Sequence, residues 1–455
     1  MKKFTLLLGD IALLYIGLLL TLWIRYGHVN QALWDQHWRP FSIIFAIWLI
    51  VFFINGLYEI RKVRNDFKFY SSLLQNLLIN AAIAILFFYL RLGGVASHIR
   101  PQTILVILIC VFAVLFLSWR RIFYQLSASR SFGNNLAIVG VNPESLMLAE
   151  EIINKPQLGY QLKLIVNPDH SPLPEKFQIT PIIKDISDLK NQLIKHNINT
   201  VVSINDPKYG PEVARYLFES IVLKIQYYNL VDFYEKITGK IPLVSLERNW
   251  FLENITQQNN RWFPMAKRLI DIFFSCVFGI ISLPFLLLLI LFIKLESAGP
   301  AIYKQQRVGL NNKIFTVYKL RSMRKDAENN GAVWASKNDE RITRMGKFMR
   351  RTRLDEIPQF WNILMGNMSF VGPRPERPEF VEQLKTAMPF YNERHLVKPG
   401  LTGWAQINYP YGASVEDARE KLQYDLFYIK NQSIVLDISI ILKTINTMFN
   451  ISFGR

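Results

Sequence analysis

Residues 349 to 375 read Met-Arg-Arg-Thr-Arg-Leu-Asp-Glu-Ile-Pro-Gln-Phe-Trp-Asn-Ile-Leu-Met-Gly-Asn-Met-Ser-Phe-Val-Gly-Pro-Arg-Pro, and the rest of the chain is interpreted from them. A carboxylate pair, Asp355 and Glu356, lies at the centre. Pro358 favours the first turn of a helix, because its missing N–H has no partner there anyway, and Gly366 is typical of a helix end. The apolar face of this helix consists of Phe360, Trp361, Ile363 and Leu364. The sequence therefore predicts both carboxylates at a helix N-terminus, where the macrodipole favours anions.

Arginines surround this carboxylate pair. They are Arg350, Arg351, Arg353 and, beyond the helix, Arg374. An acid pair among guanidinium groups, beside N–H groups that can hold a phosphate, is typical of phosphoryl transfer, with one carboxylate as nucleophile and one as metal ligand. The alternative is that the acids only cap the helix. The flanking sequence distinguishes a phosphoryl-transfer site from a helix cap.

Three neighbouring motifs favour the phosphoryl-transfer site. They are Leu354-Asp355-Glu356-x-Pro358-Gln359, Gly366-x-Met368-Ser369-x-Val371-Gly372-Pro373-Arg374-Pro375, and Lys398-Pro399-Gly400-x-Thr402-Gly403-Trp404-x-Gln406. Together they closely resemble the bacterial sugar transferase family, the polyprenyl-phosphate glycosyl-1-phosphate transferases. The resemblance extends from Lys267 to the C-terminus. The N-terminal layout is similar to the large membrane type, which includes undecaprenyl-phosphate galactose or glucose phosphotransferases.

The composition indicates a membrane protein with several domains. The chain has 455 residues, which is too long for a single core, and 51% of them are hydrophobic. Its mean hydropathy of +0.15 is high for a soluble protein. The formal net charge of +18 calls for an anionic partner, and beside apolar spans we expect lipid headgroups and phosphorylated substrates before nucleic acid. Cys110 and Cys276 lie in apolar runs, which excludes a disulfide framework and a thiolate metal site.

Residues 1–126 contain four apolar runs of transmembrane length, of which the second and fourth are marginal. They are Phe4 to Ile24, Phe41 to Tyr58, Leu73 to Leu92 and Thr103 to Trp119. Basic residues concentrate before the first run, between the second and third, and after the fourth, which predicts that both ends face the cytoplasm. Asp10 lies inside the first run without an evident charged partner in the other runs. We expect it to make a helix-interior polar contact or to lie near the membrane interface rather than to transport an ion.

Residues 130–248 are expected to form a Rossmann-like α/β domain in the cytoplasm. The strand-like segments Leu136–Val139 and Thr200–Ile204 alternate with helix-like stretches such as Ser145–Asn154. The turn after the first strand, Gly140 to Ser145, lacks the second and third glycines that a pyrophosphate-binding loop needs. We therefore expect a structural or regulatory domain rather than a dinucleotide site. Large members of the family that the chain resembles carry a soluble domain at this place.

Residues 262–455 are predicted to form a mainly α-helical catalytic domain that begins with an apolar helix at about 269–293. Ser282 and Pro284 lie in its middle, and a proline inside a helix removes a hydrogen bond and kinks the axis. A straight span would separate everything after it from the α/β domain and from cytoplasmic nucleotides. The resemblance implies a re-entrant helix that breaks at Ser282 and Pro284 and returns to the same side. Here Leu283 separates the serine and proline, which are adjacent in many members.

The resemblance also implies the reaction. Asp355 is expected to attack the sugar-bearing phosphate of a UDP-sugar, which releases UMP and leaves an aspartyl phosphosugar, while Glu356 holds Mg²⁺. Undecaprenyl phosphate then attacks this intermediate. The residues expected to bind substrate phosphates are Lys319, Arg321, Arg350 and Arg374. Alternation over Ile314–Leu320 predicts a strand that delivers the first two of them.

One position departs from the family pattern. Asn367 stands where many members have aspartate. The missing carboxylate either alters the affinity for the metal or changes only a local hydrogen bond.

We interpret the chain as a multidomain protein of the bacterial inner membrane, with a four-helix transmembrane bundle, a Rossmann-like α/β domain and a catalytic domain. Its expected role is to initiate surface polysaccharide or O-antigen synthesis. The alternative is a membrane-tethered nucleotide-binding regulatory protein with a degenerate transferase domain, but Asp355 and Glu356 are both present. Nucleic-acid binding is disfavoured because the aromatic residues lie in apolar runs and not among the basic patches. The sequence leaves open which sugar is carried and whether the chain forms a homodimer.

Overall fold

The computed structural model of the chain describes residues 2–62, 66–90, 101–128, 134–177, 180–204, 215–216, 218–255, 262–324, 327, 339–410, 412 and 414–449. The end of the third predicted span, the start of the predicted α/β domain at 130 and the last residues of the catalytic domain lie outside these ranges. The chain divides into two compact units, Met1–Leu230 and Val231–Arg455.

The first unit begins with four long helices, each long and apolar enough to cross a membrane. They are α1 (Lys2–Tyr26), α2 (Gln31–Ile54), α3 (Phe67–Tyr89) and α4 (Pro101–Ala128). Buried side chains from all four helices form one core, in which the rings of Phe52 and Phe116 stack with centroids 4.9 Å apart. Each predicted apolar run therefore falls in a helix of its own.

The expectation that Asp10 lacks a charged partner is wrong. Its Oδ2 accepts a hydrogen bond from Nη2 of Arg120 at 2.5 Å, and both side chains are fully buried. The same guanidinium donates to the carbonyl of Leu57 at 2.9 Å and lies over the ring of Phe116. The sequence did not indicate this partner, because Arg120 lies one residue beyond the end of the fourth apolar run. Helix α4 continues past that end and includes Arg120. The pair joins the first helix to the fourth, and a buried charge of this kind requires its counter-charge.

The second part of this unit is a parallel sheet with the strand order β3-β2-β1-β4-β5. The strands are β1 (Asn134–Val139), β2 (Tyr160–Val166), β3 (Ile182–Ile183), β4 (Thr200–Ser203) and β5 (Gln226–Asn229). The helices described between them are α5 (Pro143–Asn154) and α6 (Leu189–Lys195). All strand pairs are parallel, and β1 lies between β2 and β4. This order is the doubly wound layout expected of a Rossmann-like domain.

The turn after β1 is closed by its own side chains. Oδ1 of Asn142 accepts a hydrogen bond from the backbone N of Ser145 at 2.7 Å, and Oγ of Ser145 accepts one from the backbone N of Asn142 at 2.9 Å. This reciprocal capping uses donors at the start of α5 that a bound pyrophosphate would otherwise need. The backbone N–H groups of Asn142 and Ser145 are therefore already satisfied within the turn.

Residues 231–248, which the sequence placed in the α/β domain, belong to the second unit instead. Helix α7 (Leu230–Thr238) starts at the boundary. Beyond it the backbone N of Ile241 donates to the carbonyl of Gln423 at 3.0 Å, and Leu243 is buried in a core that includes Leu426. The α/β domain therefore ends at about β5.

The second unit is mainly α-helical, as predicted. Its further helices are α8 (Arg248–Asn254), α9 (Trp262–Glu296), α10 (Arg344–Thr352), α11 (Gln359–Leu364), α12 (Pro378–Ala387), α13 (Trp404–Asn408), α14 (Val415–Lys430) and α15 (Ile434–Phe449). An antiparallel hairpin consists of β6 (Ile302–Val308) and β7 (Ile314–Leu320), and a short parallel pair consists of β8 (Ser369–Val371) and β9 (Gly400–Thr402).

Helix α9 runs as one helix of 35 residues through Pro284. Oγ of Ser282 donates to the carbonyl of Gly279 at 3.1 Å. The proline removes a single hydrogen bond, and the predicted division into two helical segments is not confirmed. Most of the helix is uncovered, and Ile280 for example is 73% exposed. An apolar surface of this length is suited to lipid rather than water.

Candidate active site

The turn between α10 and α11 carries the carboxylate pair. Arg353 reverses the chain in a left-handed conformation with φ of 56°, and a 3₁₀ turn over Leu354–Glu356 follows it. Pro358 is the N-cap of α11, and Gly366, with φ of 85°, follows its C-terminus. The start and end of this helix are therefore those that the sequence predicted. Both carboxylates lie just before its first turn, and each side chain belongs to a residue that is 8% exposed.

Glu356 is held by positive charge. Its Oε1 accepts a hydrogen bond from Nη2 of Arg374 at 2.5 Å, and Nζ of Lys319 lies 3.8 Å from the same oxygen. Burial raises the pKa of the Glu356 carboxyl, but the charges of Arg374, Lys319 and Arg353 outweigh it and hold that pKa well below its usual range. Glu356 is consequently ionised at any physiological pH.

The short β8–β9 pair fixes the segment that presents Arg374. The backbone N of Gly372 donates to the carbonyl of Thr402, and the N of Gly400 donates to the carbonyl of Pro373, both at 2.9 Å. A Cβ on Gly400 would lie 2.1 Å from the backbone N of Gly372. Because that distance is far below van der Waals contact, only glycine allows these two backbones to approach so closely. The guanidinium of Arg374 thus projects from a rigid support.

Arg394 supports the same segment from the other direction. Its Nη2 donates to the backbone carbonyl of Arg374 at 2.9 Å and to Oδ2 of Asp425 at 2.8 Å, while Nη1 donates to the hydroxyl of Tyr391 at 2.7 Å. Burial raises the pKa of the Asp425 carboxyl to about 6, although the charge of Arg394 lowers it. Arg394 therefore connects the backbone of Arg374 to α14.

Lys319 is positioned by the contact between β7 and α11. The buried Asn362 donates from Nδ2 to the carbonyl of Thr316 at 2.6 Å and accepts at Oδ1 from the backbone N of Tyr318 at 3.0 Å. These two hydrogen bonds hold the strand against the helix that follows the carboxylates. The strand predicted over Ile314–Leu320 is present as β7, and it brings Lys319 to Glu356.

The other two predicted phosphate ligands are engaged with the chain itself. The guanidinium of Arg321 donates to the carbonyls of Ala298 and Ser297 at 3.1 and 2.8 Å, which fixes the end of α9. Nε of Arg350 donates to Oγ of Ser322 at 2.8 Å. Both arginines line the cavity described next, so their contact with a substrate phosphate stays a prediction.

The carboxylate pair opens into a cavity of about 330 Å³. It is lined by the four predicted cations and by several polar residues that had no predicted role, among them Glu376, Arg394, Gln406, Lys421 and Asp425. The sequence could have predicted Glu376 as a cavity residue, because it directly follows the Gly-Pro-Arg-Pro segment that carries Arg374. Burial raises the pKa of Glu376, but Arg307 and Arg394 outweigh it and hold that pKa below its usual range. Ser282 and Pro284 are not among the described residues that line this cavity.

Asp355 and Glu356 are the candidate metal ligands. Within the described ranges, no group of three or more His, Cys, Asp or Glu residues is arranged to hold a metal ion. Mg²⁺ commonly takes one or two carboxylates and completes its shell with water and substrate phosphates. The pair therefore fits Mg²⁺ in the presence of a phosphorylated substrate. Asn367 is not one of the described cavity residues, which favours a local role for that position.

The chain is similar to known bacterial sugar-phosphate transferases. The profile of the family described as bacterial sugar transferase matches residues 262–451. The chain is 39% identical, over 56% of its length and 59% of the relative's, to the UDP-N-acetylgalactosamine-undecaprenyl-phosphate N-acetylgalactosaminephosphotransferase of Aeromonas hydrophila. It is 31% identical, over 70% of its length and 68% of the relative's, to the UDP-glucose:undecaprenyl-phosphate glucose-1-phosphate transferase of Escherichia coli (strain K12).

A third relative is the exopolysaccharide production protein PSS of Rhizobium leguminosarum bv. phaseoli, which is 44% identical over 40% of this chain and 94% of its own length. The chain belongs to the bacterial sugar transferase family. It spans less than two thirds of the length of the Aeromonas relative, 59%.

Proposed function

We propose that this protein transfers a sugar 1-phosphate from a UDP-sugar to undecaprenyl phosphate and so initiates the synthesis of a surface polysaccharide. The names of its relatives support the two substrates. The observation that carries the proposal is the buried pair of Asp355 and Glu356, with Arg374 2.5 Å from Glu356 and Lys319 beside it, in one cavity. Such a site combines a nucleophile with fixed positive charge, which is what transfer of a phosphoryl group requires.

The proposed reaction has two displacements at one phosphorus atom. A carboxylate oxygen of Asp355 attacks the phosphorus that bears the sugar, and the bond from that phosphorus to the bridging oxygen breaks as UMP leaves. A phosphate oxygen of undecaprenyl phosphate then attacks the same phosphorus. The aspartyl–phosphorus bond breaks, which restores the carboxylate and yields undecaprenyl diphosphosugar.

The surrounding residues have separate tasks in this proposal. Arg374 and Lys319 stabilise the negative charge that develops on the phosphate oxygens. Glu356 keeps both cations in place and, with Asp355, would hold Mg²⁺. When bound, the ion neutralises diphosphate charge and helps UMP to leave.

We further propose that the catalytic unit lies on the cytoplasmic side of the inner membrane and that α9 enters the membrane, bends at Pro284 and returns. The support is that both ends of α9 contact the same unit. Near its start, Oδ1 of Asp271 accepts a hydrogen bond from the backbone N of Phe370 at 2.9 Å. At its end, Arg321 donates to the carbonyl of Ser297 at 2.8 Å. A helix that crossed to the other side would carry one of these contacts away from the unit.

The decisive experiment measures UMP release from a panel of UDP-sugars that includes UDP-N-acetylgalactosamine and UDP-glucose, with undecaprenyl phosphate as acceptor. The wild-type protein should release UMP with at least one donor, and Asp355→Asn should release none, because the amide keeps the shape but is not a nucleophile. Glu382→Gln, an acid-to-amide change at an exposed position of α12, is the control and should retain activity. Unchanged turnover in Asp355→Asn would refute the assignment.

A further inference from the structure

A second cavity, of about 940 Å³, lies beside the start of α9. Among the residues that the structure describes, it shares none with the catalytic cavity. Much of its wall is apolar and consists of Trp262, Phe263, Leu396, Val397 and Val435. Trp262 is 73% and Val435 78% exposed, so the apolar wall continues onto the surface. This surface adjoins the uncovered face of α9, where lipid is expected.

Three cations line this cavity, namely Lys267, Arg268 and Lys398. Lys267 is neutralised, because its Nζ lies 2.6 Å from Oδ2 of Asp437. Arg268 has only uncharged acceptors: its guanidinium donates to the last two carbonyls of α11 at 2.6 and 2.7 Å. Within the described ranges no carboxylate comes within 4.0 Å of Arg268 or Lys398.

Lys398 stands out in this group. Its Nζ forms no hydrogen bond or ion pair with any residue that the structure describes, although the side chain is partly buried. A Cβ on Gly366 would lie 3.6 Å from Nη2 of Arg268 and 3.7 Å from Nζ of Lys398, so the two cations approach the same point. Burial, followed by the charges of Arg268 and Lys267, lowers the pKa of Lys398.

The carboxylate of Asp271 also lines this cavity and offsets part of the positive charge there. Its Oδ1 already accepts hydrogen bonds from the backbone N of Phe370 at 2.9 Å and from Oγ of Ser369 at 3.0 Å. An anion bound between Arg268 and Lys398 would satisfy both cations through charge-assisted hydrogen bonds. The part of the cavity around Arg268 and Lys398 therefore has the chemistry of an anion site, and the apolar wall has the chemistry of a lipid contact.

We propose that this second cavity binds the phosphate group of a membrane lipid, with Lys398 and Arg268 on the phosphate and the wall around Trp262 against the lipid chain. The site lies outside the proposed reaction, and it would fix the start of α9 at the level of the lipid headgroups. A soluble anion would need no apolar wall, whereas a phosphorylated lipid uses both halves of the cavity. An anionic phospholipid and a polyprenyl phosphate present the same group.

Native mass spectrometry of the full-length protein in detergent tests this proposal. Three probes are added separately: phosphatidylglycerol, undecaprenyl phosphate and inorganic phosphate. Lys398→Gln should bind the lipid about tenfold more weakly, the usual effect of losing one hydrogen bond to a charged group. Lys398→Arg should retain binding. Lys294→Gln is the matched control, because Lys294 lies in the last turn of α9, away from the start of that helix, and lines neither cavity.

The lipid whose binding is lost in Lys398→Gln identifies the source of the phosphate. Equal binding by Lys398→Gln and the wild type would overturn the proposal, as would an equal loss in Lys294→Gln. Displacement of the lipid by an equal concentration of inorganic phosphate would show a site for free phosphate instead. No UDP-sugar is present, so the result is independent of UMP release.

A second measurement needs no variant. In the wild-type protein the Lys398 amine reacts with an acylating reagent at a rate that peptide mass spectrometry can follow. Bound lipid should slow this reaction severalfold while the rate at Lys294 stays the same. Equal rates at Lys398 with and without lipid would contradict the proposed contact.

Discussion

Nη2 of Arg394 lies 2.8 Å from Oδ2 of Asp425, and this pair supports the backbone of Arg374 through the second hydrogen bond of the same Nη2. We predict that Asp425→Asn lowers kcat/KM for UMP release by about 10- to 100-fold, since a small displacement of a group that contacts the substrate has an effect of that size. The activity is measured per folded molecule. Unchanged kcat/KM would mean that Arg374 is held without this pair.

The same carboxyl predicts a pH dependence of activity. The pKa of Asp425 is raised to about 6, so the wild-type protein loses the negative charge opposite Arg394 as the pH falls through that value. The rate of UMP release should then decrease as the pH falls below about 6. Asp425→Asn should lack the part of this decrease that belongs to the carboxyl. Parallel profiles for the two proteins, recorded across the same buffers, would assign the acid limb to another group.

The stability of the fold should respond in the opposite direction. The folded-state pKa of Asp425, about 6, exceeds its ordinary value of 3.8, so between these values the folded chain binds a proton that the unfolded chain releases. The contribution of this group to the free energy of unfolding therefore decreases as the pH rises from about 4 to about 6. Thermal unfolding in detergent should show a larger decrease of Tm over this interval for the wild type than for Asp425→Asn.

Glu356→Gln tests the metal ligand. We predict that this variant loses Mg²⁺-dependent UMP release, because the amide is a weak magnesium ligand and no longer holds Arg374 by charge. Asn367→Ala serves as the comparison and should keep its magnesium dependence, since that residue does not line the cavity. The measurement is the rate of UMP release by both variants as the concentration of Mg²⁺ is increased. If Glu356→Gln responds to Mg²⁺ like the wild type, Glu356 is not the ligand.

Single cysteines at the two ends of α9 test the membrane arrangement. Trp262→Cys and Leu295→Cys replace exposed residues, at 73% and 74% exposure, in a background without Cys110 and Cys276. A membrane-impermeant thiol reagent should label neither position in intact cells and both in inside-out vesicles. Labelling of just one position from the outside would establish a straight span and exclude the re-entrant arrangement.

Two truncations test where the catalytic unit begins. Deletion of residues 1–230 should leave a folded protein that releases UMP, because every residue with a proposed chemical role lies in the second unit. Deletion of residues 1–250 removes Ile241 and Leu243 from the core of that unit, and each buried aliphatic side chain lost costs about 2–5 kcal/mol of stability. Thermal unfolding in nanodiscs should show a lower Tm for the protein that lacks residues 1–250 than for the one that lacks residues 1–230. UMP release is measured on both proteins. A folded but inactive 231–455 fragment would show that the first unit contributes to the site.

The local signals of the site could be predicted from the sequence, whereas its distant partners could not. Pro358 and Gly366 act through their own backbone preferences, so the position of α11 followed from a few neighbouring residues. Arg394 and Asp425 are 31 residues apart, and no pattern between them indicates that they meet. The contact of Arg321 with the carbonyl of Ser297 was equally hidden, because 24 residues separate the two.

The pairing of Asp10 with Arg120 has a consequence for biosynthesis. The two residues are separated by 110 positions, so the carboxylate enters the bilayer long before its partner exists. At about 5–20 residues per second, translation needs several seconds to reach the arginine. During that interval the first helix has either to stay near the headgroups or to carry a protonated Asp10. In both cases the buried ion pair forms only after the fourth helix has been synthesised, so the charge balance of the membrane part is completed late.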